Sequence, residues 1–301
     1  MSIPNKITEL IGDLVPDELQ GTDRYLDIIT WNIKFFNKLD RERINLLASI
    51  IKEINADIFV LQEVSSDALD PVAEILRDER AGFYETAYGK SGGDIRVAFL
   101  YNTEKVSAKE NITELFKDET LITSNGKKAF LRLPLHRYFQ ANVIAQDPID
   151  FELVGLHMKS QRGRNRSLEQ RRTAAERLVR WIERETYDED LIIIGDWNAT
   201  LDKPEWASIR ELEESNQLKF ADFNPSTEIS HLYGRTGSRL DLIVVSTEAE
   251  AATTDVAQVI SWNDINLRDM NLRNIIKDNI SDSRIKPIRM VRHRRTILRS
   301  S

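Results

Sequence analysis

The stretch that decides the fold is Leu191–Thr200, which reads LIIIGDWNAT. Its four consecutive aliphatic residues predict a buried strand. Asp196 and Asn198 follow that strand, two positions apart. Residues two apart in extended backbone point to the same side, so an acid and an amide are expected to face one ligand. Gly195 is interpreted as the residue that permits a turn and thereby exposes them.

The remainder of the chain alternates apolar runs with amphipathic segments. Hydrophobic spacing predicts helices over residues 44–54, 70–76, 167–185 and 205–214. It predicts strands over residues 26–32, 57–63, 96–102, 138–145, 151–157, 191–196, 240–246 and 256–261. Asp70 and Pro71 are interpreted as the N-cap and first turn of one helix. The pattern is that of a mixed α/β chain whose helices cover its sheets.

Composition limits the classes of protein to consider. The chain has 301 residues, of which 41% are hydrophobic, enough for a sizeable core and too many for a disordered chain. No linker rich in Pro, Gly or Ser divides it, so one domain is expected. It has no cysteine, which excludes a disulfide framework and a thiolate metal site. No apolar run long enough to span a membrane and no secretory signal occur, so a cytoplasmic protein is expected.

The charge is unevenly distributed. The net charge of −7 argues mildly against nucleic-acid binding. However, residues 284–299 contain seven basic residues and no acid, and residues 161–172 contain five arginines and one acid. Local fields rather than the total charge steer a phosphate ligand. The alternative interpretation is a solvated arm and a solvated loop.

Polar residues suited to phosphate or metal chemistry recur at the ends of the predicted strands. They are Asn32, Glu63, His157, Asp196, Asn198 and Asp241. Each alone is compatible with a turn former or a solvated side chain. Together, on loops of a rigid scaffold, they predict a site. Oxygen ligands without cysteine suit Mg²⁺ or Mn²⁺, and such a site has the groups that phosphate-ester hydrolysis requires.

These residues lie in motifs that resemble the exonuclease–endonuclease–phosphatase superfamily, which includes pancreatic-type deoxyribonuclease, apurinic-site endonucleases, inositol polyphosphate 5-phosphatases and neutral sphingomyelinases. The motifs are TWNIKFF around Asn32, LQEV around Glu63, GLHMKS around His157, GDWNAT around Asp196 and SRLDLIVVS around Asp241. RVAFLYN (Arg96–Asn102) and LRLPL (Leu131–Leu135) resemble the family's intervening strands. The match runs in order from Leu26 to Asp282.

The resemblance implies a fold and a division of the chain. The fold is an α/β four-layer sandwich, in which two packed mixed β-sheets are flanked by helices. The domain is expected over residues 23–292, after an N-terminal helical extension (residues 1–22) and before a basic C-terminal tail (residues 293–301).

The resemblance also implies roles for the motif residues. Glu63, Asn32 and Asp282 would hold the metal. Asp196 would orient or activate the attacking water, and Asn198 would bind a phosphate oxygen. His157 would donate to the phosphate or the leaving group, positioned by Asp241, since a carboxylate fixes the tautomer of an imidazole.

One motif departs from the family pattern. The family closes with Ser-Asp-His, whereas this chain has Ser281, Asp282 and Ser283. Serine forms hydrogen bonds but is no acid or base near pH 7, so reduced activity is expected. The change is engineered, or it is natural, or the alignment is shifted and His293 takes the place. His136 and His231 are interpreted as structural or loop residues.

The substrate is predicted from the basic residues that follow His157. Lys159, Arg162, Arg164 and Arg166 are expected to bind substrate phosphates, which favours a Mg²⁺-dependent nuclease with a nucleic-acid substrate. The alternatives are a phosphatase or phospholipase C-type enzyme on a small or lipid phosphate, and a catalytically impaired binding protein. The sequence indicates no obligate protein partner.

One motif is excluded as a phosphate-binding P-loop. Gly89-Lys90-Ser91 would need a glycine at position 84, where the chain has Tyr84. Residues 88–94 are instead interpreted as a flexible loop at the rim of the site.

Overall fold

The computed structural model describes residues 20–22, 25–141, 149–186, 190–221, 231–233, 236–247, 249, 253–260 and 288–293. For residue 149, residues 231–233 and 236–237, and residues 253–260 and 288–293, only the backbone is described. Residues 1–19, Asp282, Ser283 and residues 294–301 lie outside these ranges. The helical extension, the closing motif, the tail and the domain boundaries therefore stay predictions.

Thirteen of the described strands form two mixed sheets. The strands of the first sheet are β1 (Leu26–Phe36), β2 (Ile58–Val64), β3 (Tyr84–Tyr88), β4 (Arg96–Asn102), β14 (Thr253–Ile260) and β15 (Ile288–His293). Their order is β14-β15-β1-β2-β4-β3.

The second sheet contains seven strands. They are β5 (Val106–Ala108), β6 (Thr113–Glu114), β7 (Leu135–Ala141), β8 (Ile149–His157), β9 (Leu191–Asp196), β10 (Leu218–Phe220) and β13 (Asp241–Ser246). Their order is β10-β13-β9-β8-β7-β5, and β6 pairs with β7. A separate hairpin joins β11 (His231–Tyr233) to β12 (Thr236–Ser238).

Helices cover the outer face of each sheet. They are α1 (Arg41–Ile54), α2 (Asp70–Asp78), α3 (Asn165–Arg184) and α4 (Ala207–Glu214), with short 3-10 turns at Gln161–Gly163 and Pro204–Trp206. Buried side chains form three clusters, one under α1 and α2, one between the sheets, and one under α3 and α4. The four-layer α/β sandwich is therefore confirmed. Among the described residues, no helix is long and apolar enough to cross a membrane.

Alternation along β1 explains why the sheet is buried on both faces. Ile29 and Trp31 pack on the helix side, while Leu26 and Ile28 pack between the sheets. Residues two apart share a face of a strand, so both sets of positions must be apolar. Asn32 continues the second set, where the space between the sheets reaches its edge.

Three details of the predicted elements are wrong. LRLPL is not a strand, because β7 begins only at Leu135, after Pro134, which has no N–H for a ladder. Asp70 is not an N-cap; it is the first helical residue, and its carboxylate accepts hydrogen bonds from Thr86 and Tyr88. The helix predicted over residues 205–214 is a 3-10 turn followed by α4.

Residues 115–134 connect β6 to β7 and are held against α3 by side-chain contacts. Arg177 Nε donates to Glu119 Oε2 at 2.8 Å, and its guanidinium lies 4.3 Å from the centroid of the Phe116 ring. Gln170 Nε2 donates to the Lys128 carbonyl at 2.6 Å. Contacts at three points along this irregular segment, rather than a ladder, therefore set its path.

Gly195 does not make a turn, contrary to the sequence-based interpretation. It lies inside β9, paired with Leu156 on one side and Leu242 on the other. A Cβ here would overlap the carbonyl oxygen of Leu156, and the backbone φ is +155°. Glycine is therefore required for the close approach of β8, which sets the position of Asp196.

We expect Gly195→Ala to lower the free energy of unfolding by about 3 kcal/mol or more, because the strain and the overlap act together. Gly126 is the matched control, since its φ is +73° and an added Cβ would meet nothing within 4 Å. Gly126→Ala should cost about 1–2 kcal/mol, the backbone component alone. Urea denaturation of both variants measures the difference, and equal costs would refute the close-approach role.

A buried carboxyl lies at the opposite end of β2 from the strand tips. Asp57 Oδ2 accepts from the Asp27 N–H at 2.7 Å, and Asp57 Oδ1 lies 3.2 Å from Lys105 Nζ. Burial raises the pKa of Asp57 to about 7, against the opposing charge of Lys105. The folded state thus holds this proton more tightly than the unfolded chain does. Its contribution to stability is greatest below about pH 4 and is lost as the pH rises through about 7.

We expect Asp57→Asn to remove this pH dependence. The stability of the variant relative to the parent should rise between about pH 4 and pH 7, because the amide has no proton to lose. Thermal unfolding of both proteins across that range measures the difference. A constant difference in the free energy of unfolding would show that Asp57 does not titrate there.

Candidate active site

Strand register brings the predicted site residues to one edge of the sandwich. In the second sheet, Asp196 at the end of β9 pairs with His157 of β8 and with Asp241 of β13. In the first sheet, Asn32 of β1 pairs with the residue before Glu63 in β2. Because β1 and β2 are parallel and β8 and β9 are parallel, their carboxyl ends meet.

A single amide joins the two sheets at this edge. Asn32 Nδ2 donates to Asp196 Oδ2 at 2.8 Å and to Glu63 Oε1 at 3.2 Å. Asn32 Oδ1 accepts from the Lys34 N–H at 3.1 Å, which fixes the orientation of the amide. Both hydrogens of Nδ2 are therefore directed at carboxylates. The role of Asn32 in holding the metal stays a prediction.

The imidazole of His157 faces the same two carboxylates. His157 Nε2 lies 3.9 Å from Asp196 Oδ2 and 4.0 Å from Glu63 Oε1. These distances exceed a direct hydrogen bond, and one ligand oxygen can bridge them. His157 and Asp196 are both buried. The proposed positioning of His157 by Asp241 stays a prediction.

Asn198 is placed by a left-handed turn after β9. Its φ is +59°, a conformation that asparagine tolerates better than most residues. Its N–H donates to Asp196 Oδ1 at 3.0 Å, and its Nδ2 donates to the Met158 carbonyl at 3.0 Å. The amide of Asn198 thus has a fixed orientation, and its binding of a phosphate oxygen stays a prediction. Trp197, fully buried between them, donates from Nε1 to the Leu242 carbonyl at 3.1 Å.

The carboxylate of Glu63 has the features of a metal ligand. Its φ of +63° is uncommon for a residue with a side chain, and such strain is often found at functional sites. Within the part of the chain that the structure describes, its buried Oε2 has no hydrogen-bond partner. An unpartnered carboxylate oxygen at a strand tip fits a hard divalent cation.

The described donor set is small. No group of three or more histidine or acidic side chains that could hold a metal occurs within the described residues. Mg²⁺ needs only one or two protein carboxylates, since it keeps waters and takes substrate phosphate oxygens. The residues present therefore fit Mg²⁺ better than a cation that needs a closed protein cage.

Sequence reasoning missed a buried arginine at this site. Arg132 Nε donates to the His157 carbonyl at 3.2 Å, and Nη2 donates to the Met158 carbonyl at 3.1 Å. Burial lowers the pKa of Arg132, while the charges of Asp196 and Glu63 oppose that change. The sequence did contain an indication of this role: Arg132 is the one charged residue in the apolar run LRLPL, and the interpretation of that run as a strand did not explain it.

The loop at residues 89–94 packs beside this arginine. A Cβ on Gly92 would overlap the side chain of Arg132. Glu114 Oε1 accepts from the N–H groups of Lys90 and Ser91 at 2.8 and 2.7 Å. A carboxylate thus occupies the amides that a P-loop would offer to phosphate. The loop is at the rim of the site, where it was predicted to lie.

The predicted phosphate-binding residues divide by exposure. Arg162, Arg164 and Arg166 are exposed, whereas Lys159 is partly buried. Burial lowers the pKa of Lys159, and the charges of neighbouring arginines, Arg132 first, lower it further. Positive charges that repel one another are stabilised by a bound anion.

Two other basic residues near the site have structural contacts. Arg171, from the same arginine-rich segment, is buried, and its Nε donates to Glu205 Oε1 at 2.8 Å. His136, predicted to be structural, lies with its Nε2 2.9 Å from the buried Glu152 Oε2 and with its ring against Trp181. These contacts agree with the structural interpretation of His136.

Comparison with known proteins gives a family and a fold. The model of the Endonuclease/Exonuclease/phosphatase family matches residues 29–262. No curated protein sequence matches the chain. Humanized D. rerio TDP2 is 14% identical, with a TM-score of 0.60 over 91% of this chain and 100% of that one.

Two further structures share the fold. An endonuclease/exonuclease/phosphatase from Bacteroides vulgatus is 14% identical, with a TM-score of 0.60 over 90% of this chain and 99% of that one. The human Nocturnin catalytic domain, solved with a bound sulfate anion, is 16% identical, with a TM-score of 0.53 over 77% of this chain and 84% of that one. At these identities the likeness shows the fold alone. Because the family model spans most of the chain, this protein belongs to the Endonuclease/Exonuclease/phosphatase family.

Proposed function

We propose that this chain is a Mg²⁺- or Mn²⁺-dependent phosphodiester hydrolase that cleaves nucleic acid. The observation that carries the proposal is the arrangement of Glu63 and Asp196 around one shared amide, with the imidazole of His157 within about 4 Å of both. An anion-favouring group of Lys159 and Arg132 lies beside them. Carboxylates, an imidazole and cations brought together at one edge of the sandwich suit phosphoryl chemistry.

Each residue has a role that its contacts allow. Asp196, held through both carboxylate oxygens, orients the attacking water and accepts its proton. Asn198 donates its second Nδ2 hydrogen to a non-bridging phosphate oxygen. His157 donates a proton toward the phosphate or the leaving oxygen, and Asp241 is proposed to position it. Arg132 fixes the carbonyls of His157 and Met158, and so holds the segment that carries His157.

The cation would be held by Glu63, with Asn32 beside it and Asp282 contributing from the closing motif. Such an ion supplies neutralisation of the charge that develops on the phosphate oxygens. The replacement of the family's closing histidine by Ser283 is expected to lower the rate.

The nucleic-acid substrate is supported by two observations. Lys159, Arg162, Arg164 and Arg166 extend from the end of β8 to the start of α3, a path suited to successive backbone phosphates. D. rerio TDP2 complexed with single strand DNA product is 16% identical, with a TM-score of 0.55 over 90% of this chain and 99% of that one. A phosphatase or phospholipase, and an impaired binding protein, are the alternatives that the experiments below separate.

We expect the parent chain to nick supercoiled plasmid with Mg²⁺ or Mn²⁺ and Asp196→Ala to be about 10²–10⁴-fold slower, because a proton acceptor is lost. Ser283→His should cut faster than the parent. Asp202→Ala is the matched control, since Asp202 is an exposed acid just beyond Asn198. Plasmid and a single-stranded oligonucleotide both left intact by all four proteins contradict the nuclease. Release of inorganic phosphate or phosphocholine instead would favour the alternative enzymes.

We also expect nucleic-acid binding to depend on salt and on the exposed arginines. Changing Arg162, Arg164 and Arg166 together to Ala should reduce the slope of log affinity against log salt by up to about 2–3, if each contacts one phosphate. The control is Arg180→Ala with Arg184→Ala, at the far end of α3. Fluorescence anisotropy with labelled DNA measures both. An affinity that does not change with salt would exclude nucleic acid as the substrate.

A further inference from the structure

The end of β1 carries an unusual irregularity beside the site, which we call the β1 bulge (Ile33–Phe35). Asn32 pairs with Gln62 and Phe36 pairs with Val64, so three residues of β1 lie opposite one residue of β2. Lys34 and Phe35 have φ of +50° and +48°, two consecutive left-handed residues that are not glycine. Such a conformation is costly and persists only where its surroundings enforce it.

Arg43, in the first turn of α1, holds the bulge. Its Nη2 donates to the carbonyls of Ile33 at 2.6 Å and Lys34 at 3.1 Å, and its Nη1 donates to the carbonyl of Phe35 at 3.2 Å. The same guanidinium lies 5.3 Å from the centroid of the Phe36 ring. One planar, permanently charged group therefore fixes three successive carbonyls. The conformation of the β1 bulge is therefore fixed by specific contacts and is not a frayed strand end.

The β1 bulge exposes the aromatic ring of Phe35 to solvent. Phe35 is 60% exposed, while Ile33 and Phe36 on either side are buried in the core under α1. Lys34 is partly exposed and Lys38 is exposed. An aromatic ring flanked by lysines is the combination that single-stranded nucleic-acid sites use, the ring for bases and the cations for phosphates.

Phe35 is also close in the chain to the candidate active-site residues. Phe35 is three residues from Asn32, a chain distance of at most about 11 Å. The β1 bulge lies opposite Glu63, between the pairs Asn32–Gln62 and Phe36–Val64. A phosphate bound at Asn32 and Glu63 therefore leaves its neighbouring base within reach of this ring.

We propose that Phe35 is a stacking platform for a nucleobase next to the scissile phosphodiester, with Lys34 and Lys38 beside the adjoining phosphates. The inference rests on the proposed nuclease function and names its substrate class. A ring can stack on the face of a base only where that base is free of its own neighbours, so the preferred substrate is single-stranded or frayed nucleic acid.

A lipid bilayer is the competing occupant of this surface, because Phe35, the 86% exposed Leu39 and two lysines could insert at a headgroup interface. The structure favours a base. The ring is held by a rigid, clamped backbone beside the catalytic carboxylates, whereas membrane insertion requires neither that rigidity nor that position.

Binding is tested first, apart from turnover. A thymidine oligonucleotide with one 2-aminopurine is titrated with the Asp196→Ala chain, and stacking is followed by quenching of its fluorescence. Phe35→Ala should bind about 5- to 150-fold more weakly and lose the quenching. Phe35→Leu, which keeps apolar volume without a π face, should also lose it, and Phe35→Trp should keep it.

Phe83→Ala is the matched control. Phe83 is 53% exposed and precedes β3, whose first residue pairs with Asn102 at the end of β4 away from the site. Its loss should leave affinity and quenching unchanged. Thermal unfolding of each variant confirms that it is folded.

The outcomes separate the inference from the proposed function. Quenching by Phe35→Ala equal to that of its parent, or no binding of the oligonucleotide at all, overturns the inference. Phe35-dependent binding to phosphatidylserine-containing vesicles in place of the oligonucleotide overturns it in favour of a membrane. Phe35-dependent quenching without any hydrolysis by the chain with Asp196 intact sustains the platform and refutes the nuclease.

A second readout uses hydrolysis. The chain with Asp196 intact is given a thymidine oligonucleotide and the same oligomer with tetrahydrofuran residues in place of every nucleoside. Phe35→Ala should lower kcat/KM on the first substrate and leave it unchanged on the second, which has no base to stack. Equal losses on both substrates would mean that Phe35 acts on the backbone path and not on a base.

Discussion

The hydrogen bonds from one amide nitrogen, Asn32 Nδ2, hold the site together. They join Glu63 of the first sheet to Asp196 of the second, at 3.2 and 2.8 Å. Two carboxylates brought together in a mostly buried place repel one another, and a shared donor reduces that cost. The sandwich must therefore align the ends of two separate sheets to within a hydrogen-bond length. The close approach at Gly195 and the packing of Trp197 both serve that alignment.

Four of the ten described non-glycine residues with positive φ lie at the ends of the strands that carry the site. Glu63, Asn198 and the β1 bulge all have left-handed φ, and each directs a polar or aromatic group out of the sheet. Regular strands would continue the alternation and turn these side chains toward a core. The three apolar clusters supply the stability that allows the tips to be irregular. The packed layers make the sandwich rigid, and the irregular backbone at the strand ends positions the polar side chains of the site.

The sequence predicted the strand-tip residues because alternation and runs of aliphatic residues report burial directly. It predicted the two-sheet sandwich only through motifs, since the pairing of β1 with β15 joins residues more than 250 positions apart. Arg132 was missed because an isolated cation in an apolar run looks like part of a strand. The interpretation of Gly195 was wrong because the close approach of β8 depends on tertiary structure, which the local sequence does not show. The local hydrophobic pattern of a sequence indicates which residues are buried and whether a segment is a helix or a strand. Contacts between segments far apart in the chain decide which polar groups come together.

The fastening of residues 115–134 to α3 has a consequence for how such enzymes diverge. The segment that carries Arg132 is attached to Gln170 and Arg177 of α3, and the guanidinium of Arg132 then donates to the carbonyls of His157 and Met158. Substitutions on the buried face of α3 that contacts this segment can thus shift Arg132, and with it the electrostatics of the site, without touching a motif residue. Sequence differences on this helix, as well as at the strand tips, can therefore change the charge around the site.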